Sequence, residues 1–324
     1  MQRFILVLFI ASELCYYLLI AQTGIVEYFS SNIYLIASLP IGGVLGSFLS
    51  FYIKTSNSNK ILFFLIIQLI MSFLYPQFSF IMLFILGISV GALAPLIINE
   101  LKKATALDIG LSLSLSYVVG TFLFNYEASE RGSIAIVLSL ITLVCSRFLP
   151  KQKVSRMKYE NYSLFAMVLW VFLDSALFES LSRDLSISIW RGGYSSQIAL
   201  FHIVGVIAAL GVKLEKNQKE LLIMVLFAIS YLLYFLREAN ILAIVYPFVI
   251  SYYNVVILQT ILKKDLKTIS IYMVFIGWIA SGTGLFVAVE NLILFVPIIF
   301  LIAFFRIIIS YEKLSIINKE IRHV

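Results

Sequence analysis

The chain has 324 residues, of which 61% are hydrophobic and only 13% are charged, and its mean hydropathy is +1.02. Soluble domains are nearer half apolar and a quarter charged, so this composition excludes an ordinary soluble protein and predicts an all-α polytopic membrane protein. The net charge of +7 would suit a nucleic-acid partner, but its distribution among the loops accounts for it, and we expect no such partner.

Apolar runs of about 17–25 residues, separated by polar breaks, predict twelve transmembrane helices. Only Glu290 and Asn291 separate the last two, and the third and ninth runs are short. The predicted spans cover residues 3–21, 32–53, 61–75, 78–98, 106–125, 132–149, 162–182, 195–212, 220–236, 239–262, 268–288 and 291–310.

The positive charges predict the orientation of these spans. If the N-terminus is cytoplasmic and the spans alternate, the cytoplasmic segments hold all Lys and Arg residues except Arg131, Arg183, Arg191 and Arg237. Such an excess of positive charge marks the cytoplasmic side of a membrane protein. We therefore expect a multi-pass protein of the bacterial inner membrane with both termini in the cytoplasm. Glu13 interrupts the first apolar run early, so we expect no cleavable signal peptide.

The two halves of the sequence repeat at an offset of 161–162 residues. The blocks occur in the same order, and equivalent loops carry charge of the same sign, which requires two parallel repeats of six helices each. The predicted units are a first bundle at 1–149, a basic cytoplasmic linker at 150–161 and a second bundle at 162–324. The matching blocks are Glu13 with Asp174, Gly43-Val44 with Gly205-Val206, Leu101-Lys102-Lys103 with Leu262-Lys263-Lys264, and GTFLF at 120–124 with GTGLF at 282–286.

This organisation resembles the major facilitator superfamily, and the resemblance covers all twelve spans. It is carried by PIGGVLGSFLSFYIK (Pro40–Lys54), ILGISVGALAPLI (Ile85–Ile97) and SYVVGTFLF (Ser116–Phe124). One departure is Ser50, which stands where the family motif between spans two and three has an Asp. The resemblance implies secondary transport by alternating access, with spans one and seven lining a central cavity.

A narrower likeness is to the membrane portion of fused facilitator and spermidine-synthase-like proteins. It is carried by the first pair of spans and by the GAxxPL element at Gly91–Leu96. This likeness implies a membrane component of polyamine or lipid metabolism.

Carboxyl groups inside the predicted spans are the main candidates for function. Glu13 and Asp174 lie near the middles of spans one and seven, where an ionised side chain costs about 2.5–3.5 kcal/mol unless it faces a polar interior. Glu179 and Arg183 share a face of span seven. We predict that these four residues couple protons or bind substrate. The alternatives are hydrogen-bonded structural carboxyls at 13 and 174, and a simple interfacial ion pair at 179 and 183.

Other polar and aromatic residues at membrane depth are predicted to line the cavity. An acid-lined cavity favours a cation or zwitterion, although Arg183 would also suit an anion. With two histidines and two distant cysteines, we expect no metal site and no cofactor. The cavity-lining candidates are Tyr16, Tyr17, His202, Tyr252, Tyr253, Asn254, Gln259 and Trp278.

The leading hypothesis is a monomeric secondary transporter of a small solute, proton-coupled and without enzyme activity. No nucleotide-binding or hydrolase motif occurs in the sequence. The alternatives are a transport-inactive membrane scaffold or subunit, which the altered motif at Ser50 favours, and the metabolic role above. A solvated pocket that reaches Glu13 and Asp174 would favour transport, whereas a core sealed by Phe and Leu would favour a scaffold.

Overall fold

The computed structural model describes residues 2–150 and 160–305, and within these ranges the chain forms helices and no strands. The all-helical prediction is therefore confirmed. Most of the linker at 150–161 and the end of the chain after residue 305 lie outside the described residues. The twelve helices are α1 Gln2–Tyr28, α2 Ile33–Tyr52, α3 Asn57–Leu74, α4 Phe80–Leu101, α5 Ala106–Leu123, α6 Gly132–Ser146, α7 Leu164–Arg183, α8 Ser195–Gly211, α9 Lys216–Leu236, α10 Ala239–Ile261, α11 Leu266–Val289 and α12 Leu292–Phe305.

Nine of the described helices are long and apolar enough to cross a membrane, and α6, α8 and α12 are shorter apolar helices. Large apolar side chains such as Tyr34, Ile81 and Leu294 are exposed on the outside of the bundle, where lipid would cover them. These features indicate a multi-pass membrane protein. Twelve spans arranged as two repeats stay a prediction.

Side-chain caps explain where many of the helices begin. At six helix starts a polar side chain accepts a hydrogen bond from the backbone N–H three residues later, which satisfies a donor that the helix leaves free. Thr105 and Asp108 form a reciprocal capping box at the start of α5. The capping residues are Asn32, Ser56, Ser79, Thr105, Ser163 and Asp265.

The loops gather at two opposite faces of the bundle. We call the face where α1 begins the proximal face and the face where α1 ends the distal face. At the distal face the end of α1 contacts the loop that precedes α6, through Arg131 bonded to Thr23. At the proximal face the Lys102 ammonium donates to the Lys264 carbonyl. The described Lys and Arg side chains at the distal face are Arg131, Arg183, Arg191 and Arg237.

The same pairs of helices pack together in the two halves of the chain. The pairs α2–α4, α1–α5 and α3–α4 recur six helices later as α8–α10, α7–α11 and α9–α10. The halves meet where α5 contacts α8 and where α2 contacts α11. These two interfaces are equivalent, because α5 and α11 occupy matching positions in the two halves, as do α2 and α8. The helices α2 and α4 approach closely because glycines face each other across them.

Two of the helices contain a π-helical stretch, at Tyr17–Gly24 in α1 and at Val274–Ala280 in α11. A π turn inserts one extra residue and leaves backbone carbonyls to find other partners. In α1 the Leu19 carbonyl accepts hydrogen bonds from the Thr23 hydroxyl and from the Arg131 guanidinium. The two stretches meet where the rings of Tyr17 and Trp278 pack edge to face, with centroids 6.4 Å apart.

Candidate functional site

A cavity of about 280 Å³ lies in the middle of the bundle, between helices of the two halves. Its walls come mainly from α1, α4, α5, α7, α10 and α11. Both Glu13 and Asp174 line it. Most lining side chains are apolar, and the polar or amphipathic ones are Glu13, Tyr17, Gln22, Thr23, Ser116, Tyr117, Thr121, Asp174, Ser175, Trp190, His202, Tyr253, Asn254, Trp278 and Ser281.

The two ends of the cavity differ in chemistry. Towards the distal face it is lined by the aromatic roof, which we define as Phe124, Phe178 and Trp190. The three ring centroids of this roof are 4.7–6.2 Å apart, so each ring packs on the other two. Towards the proximal face the walls are aliphatic, with Leu101 and Ile261 at the ends of α4 and α10. The carboxyl groups lie between these ends.

Asp174 is held by two tyrosines of α10. The Tyr246 hydroxyl donates to one carboxyl oxygen at 2.8 Å, and the Tyr253 hydroxyl donates to the other at 2.6 Å. The Tyr246 hydroxyl also lies 2.9 Å from the Asp174 carbonyl oxygen. Tyr246 and Tyr253 are seven residues apart, so both lie on one side of α10. This arrangement fixes the carboxyl group as a hydrogen-bond acceptor beside the cavity.

Glu13 is held by an amide instead. The Gln68 side chain of α3 donates to the carboxyl group at 2.9 Å and lies 3.5 Å from the Ser139 hydroxyl. Ser139 is linked to Ser72, which donates to the Tyr16 hydroxyl at 3.2 Å. Glu13 therefore has the cavity on one side and a chain of polar groups inside the first half on the other. The two carboxyls at repeat-equivalent positions have chemically different partners.

His202 takes part in a polar contact between the halves. Its ring stacks on Tyr117 of α5 with centroids 4.3 Å apart, and its Nδ1 lies 2.7 Å from the Ser251 hydroxyl. The Asn254 amide of α10 donates to the Tyr117 hydroxyl at 2.9 Å. These side chains join α5, α8 and α10 at the cavity wall.

Trp278 joins α11 to α2 on another side of the cavity. Its indole N–H donates to the Ser47 hydroxyl at 3.2 Å, and its ring packs against the backbone of Gly43. A Cβ atom at residue 43 would lie 2.2 Å from the indole, so only glycine leaves room for this ring.

Five of the predicted site residues lie outside the cavity lining. Tyr16 and Tyr252 are fully buried in the bundle, and Gln259 and Glu179 are also buried. Arg183 is exposed as the last residue of α7. Glu179 and Arg183 form no ion pair in the described ranges, and at this end Asp184 pairs with Arg237 at 3.6 Å. The structure thus does not bring Arg183 to the carboxyls of the cavity.

A charged cluster that the sequence did not predict lies at the distal end of the cavity. Glu27, at the end of α1, forms ion pairs with Arg131 and with Arg191, which belongs to the other half. Both guanidinium groups lie over the Phe124 ring, at 4.8 and 5.8 Å from its centroid. Burial lowers the pKa of Arg131, and the neighbouring Glu27 carboxylate opposes this effect. The ion pair between Glu27 and Arg191 therefore links the two halves above the aromatic roof.

Hydrogen bonds without an ion pair link the halves at the proximal end. The hydroxyls of Ser50 and Ser270 lie 2.7 Å apart, and the Lys102 ammonium donates to the Lys264 carbonyl at 2.6 Å. Ser50 thus still contacts the other half. The cavity therefore has polar links between the halves at both of its ends.

In the part of the chain that the structure describes, no group of three or more His, Cys, Asp or Glu side chains could hold a metal ion. The site consists of two carboxyls, aromatic rings and neutral polar groups. No family model and no curated protein matches this chain in the sequence comparisons.

Proposed function

We propose that this protein is a secondary active transporter of a small solute, working by alternating access in the bacterial inner membrane. The observation that carries the proposal is the cavity between the halves, which both Glu13 and Asp174 line. A membrane scaffold has no need of such a cavity, since packing alone would fill the space with Phe and Leu. A volume of about 280 Å³ is at the low end for ligand pockets, which favours a small solute.

The pattern of helix contacts supports two bundles that rock against each other. The halves touch through α2–α11 and α5–α8, and the cavity lies between these two interfaces. The polar links at the two ends are few, so one set can open while the other stays closed. In the proposed orientation the proximal face is cytoplasmic, because the basic loops of the described ranges gather there, and the proposal makes both termini cytoplasmic. This proposal includes no enzyme activity.

Proton coupling is assigned to the two carboxyls of the cavity. Asp174 accepts hydrogen bonds from two tyrosine hydroxyls, whereas the Gln68 amide donates one to Glu13. The unequal partners suit a division in which Asp174 holds the solute and Glu13 exchanges a proton. Glu179 lies buried one turn beyond Ser175 of the cavity wall and is the third candidate for coupling.

The test is proton flux into proteoliposomes that contain a pH-sensitive dye. The solute panel holds amines, amino acids, organic acids and sugars. One class should drive flux through the wild type. Glu13→Gln should abolish proton flux, and Asp174→Asn should weaken the response to the solute. The matched control is Glu130→Gln, which changes an exposed distal carboxyl and should behave like the wild type.

Two results would refute parts of the proposal. Solute-driven flux that survives both cavity substitutions would refute the coupling assignment. No flux with any solute class, together with unchanged stability in both variants, would favour the scaffold alternative, which the Ser50 position of the sequence motivates.

A further inference from the structure

We propose that the cavity selects a small organic monocation, a substituted ammonium with an apolar body, and rejects anions and sugars. This inference rests on the proposed function, because it takes the central cavity as the solute site. It names the chemical class of the solute from the charges and surfaces of the walls.

The charges of the walls have a single sign. Glu13 and Asp174 line the cavity, and no Lys or Arg is among the described residues that line it. The nearest arginines of the distal cluster, Arg131 and Arg191, lie over the Phe124 ring and pair with Glu27. An anion would therefore lose its water shell beside two carboxyls with no compensating cation, which is strongly unfavourable.

The aromatic rings point to an ammonium rather than to a metal cation. Phe178 and Trp190 of the roof and Tyr17 and Trp278 of the wall line the same cavity as the two carboxyls, whereas the Phe124 ring already lies beneath the guanidinium groups of the distal cluster. Ring faces attract organic cations and also pack against their apolar carbons. A divalent metal ion would instead need several ligands, and the described residues form no group of three or more His, Cys, Asp or Glu side chains that could hold one.

The hydrogen bonds of Asp174 indicate where the ammonium group of the solute binds. Each oxygen of this carboxyl accepts one tyrosine hydroxyl, from Tyr246 and from Tyr253, and a carboxylate oxygen can accept more than one hydrogen bond. The ammonium therefore lies at Asp174, beneath the aromatic roof. The apolar body extends towards the aliphatic proximal end at Leu101 and Ile261. Because the ammonium group occupies Asp174, the Glu13 carboxyl remains available to exchange the coupled proton.

The aliphatic end and the small number of polar groups argue against a sugar. A sugar presents hydroxyls on every side, and each one buried without a partner costs about 1–3 kcal/mol. The proximal part of the cavity is lined by the aliphatic side chains of Ile97, Leu101, Ile257 and Ile261. These side chains offer such hydroxyls no hydrogen-bond partner. An alkyl or aryl group leaves nothing unpaired there.

Tryptophan fluorescence of the purified protein in lipid nanodiscs can test this selection directly. Of the three tryptophans, Trp190 and Trp278 line the cavity, so a bound solute should change their emission. The probes are benzyltrimethylammonium and phenethylammonium as cations, benzenesulfonate as the anion and glucose as the sugar. Saturable changes are expected with the two cations only.

Variants connect the binding to the cavity carboxyl. Asp174→Asn should raise the Kd of the cations at least tenfold, because the charge partner is lost. The matched control is Asp184→Asn, which changes a carboxyl at the distal surface and should leave the Kd unchanged. Circular dichroism should show that both variants remain folded.

Binding of benzenesulfonate or glucose, or no saturable response to either cation, would overturn the inference. A Kd for the cations that Asp174→Asn leaves unchanged would do so as well. The proposed function fails separately: cations that bind with the expected dependence on Asp174 but cross no membrane would leave the inference standing and refute transport.

Discussion

The close packing of α2 on α4 makes Gly91→Ala a strong perturbation. A Cβ atom at residue 91 would lie 2.2 Å from the Gly43 carbonyl oxygen and 2.6 Å from the Gly43 Cα, whereas ordinary contacts begin at 3.4 Å. Backbone atoms cannot turn aside as a flexible side chain can, so the two helices would have to separate by about 1 Å. We expect this overpacking to lower the free energy of unfolding by about 1–3 kcal/mol.

The separation of α2 from α4 would also reach the cavity. The Ser47 hydroxyl bonds to the Gly91 carbonyl at 3.1 Å and accepts the Trp278 indole N–H at 3.2 Å. Moving α4 away weakens the first bond and leaves the Ser47 hydroxyl with the Gly43 carbonyl of its own helix, at 2.9 Å, as its acceptor, so the polar surroundings of the indole change. We therefore expect a changed tryptophan emission together with the lower stability.

The assay is thermal unfolding in detergent, followed by circular dichroism, with tryptophan emission recorded on the same samples. The matched control is Gly282→Ala, since a Cβ atom there would meet nothing within 4 Å. Helix propensity favours alanine at both positions equally, so a difference between the variants reports packing. Equal melting temperatures for the two variants would refute the reasoning.

Three further predictions concern charged side chains near the two faces. Arg131→Met should lower the free energy of unfolding by about 1–3 kcal/mol in the same melting assay, because the carbonyl oxygens of Tyr126 and Phe124 lose their donor while Glu27 keeps its ion pair with Arg191. Lys219→Met should cost more, about 3–5 kcal/mol, since it leaves the buried Glu160 carboxylate unpaired. The hydrogen bond to Thr268 holds the pKa of Asp265 below its usual 3.8. Asp265→Ala should therefore lower the free energy of unfolding by its full amount above pH 3.8. This difference from the wild type should vanish as the pH falls through the lower pKa that Asp265 has in the folded protein.

The two predictions for buried basic residues have matched controls. Arg237→Met and Lys213→Met change exposed basic residues and should have little effect on melting. If Arg131→Met or Lys219→Met melts like its control, the buried charge does not stabilise the fold. A destabilisation by Asp265→Ala that is unchanged between pH 7 and pH 3 would refute the capping role of the ionised carboxyl.

The sequence predicts the helices well because lipid imposes a simple rule on it. A helix that crosses a bilayer needs a long apolar run, and polar breaks then mark its ends. All twelve predicted segments correspond to helices in the described ranges, including α11 and α12, which only Glu290 and Asn291 separate. The repeat also singled out Glu13 and Asp174, and both line the cavity.

The partners of these carboxyls could not be predicted from the sequence. Gln68 and Tyr246 come from helices other than those of the carboxyls they bind, and an apolar helix gives no clear signal of which side faces a neighbour. Spacing along one helix placed Glu179 and Arg183 on one face. It could not show that α7 ends at residue 183, which leaves the arginine exposed.

The distal cluster was missed for a related reason. Counting positive charges places Arg131 and Arg191 in loops, and loops are usually at the surface. Arg131 is instead 0% exposed, because the π-helical stretch of α1 and the end of α5 present carbonyl oxygens to it. A π turn has no recognisable pattern in one sequence, so neither the extra residue nor its partner could be inferred.

The contact between Gly43 and Trp278 ties the evolution of two distant positions together. The indole occupies the volume that any side chain at residue 43 would need, and the same glycine faces Gly91 of α4. Three helices from both halves thus meet at one point, where Gly43 cannot be replaced by a larger residue while Trp278 is present. In designed variants or in diverging descendants of this chain, position 43 can therefore change only together with, or after, a change to a smaller residue at 278.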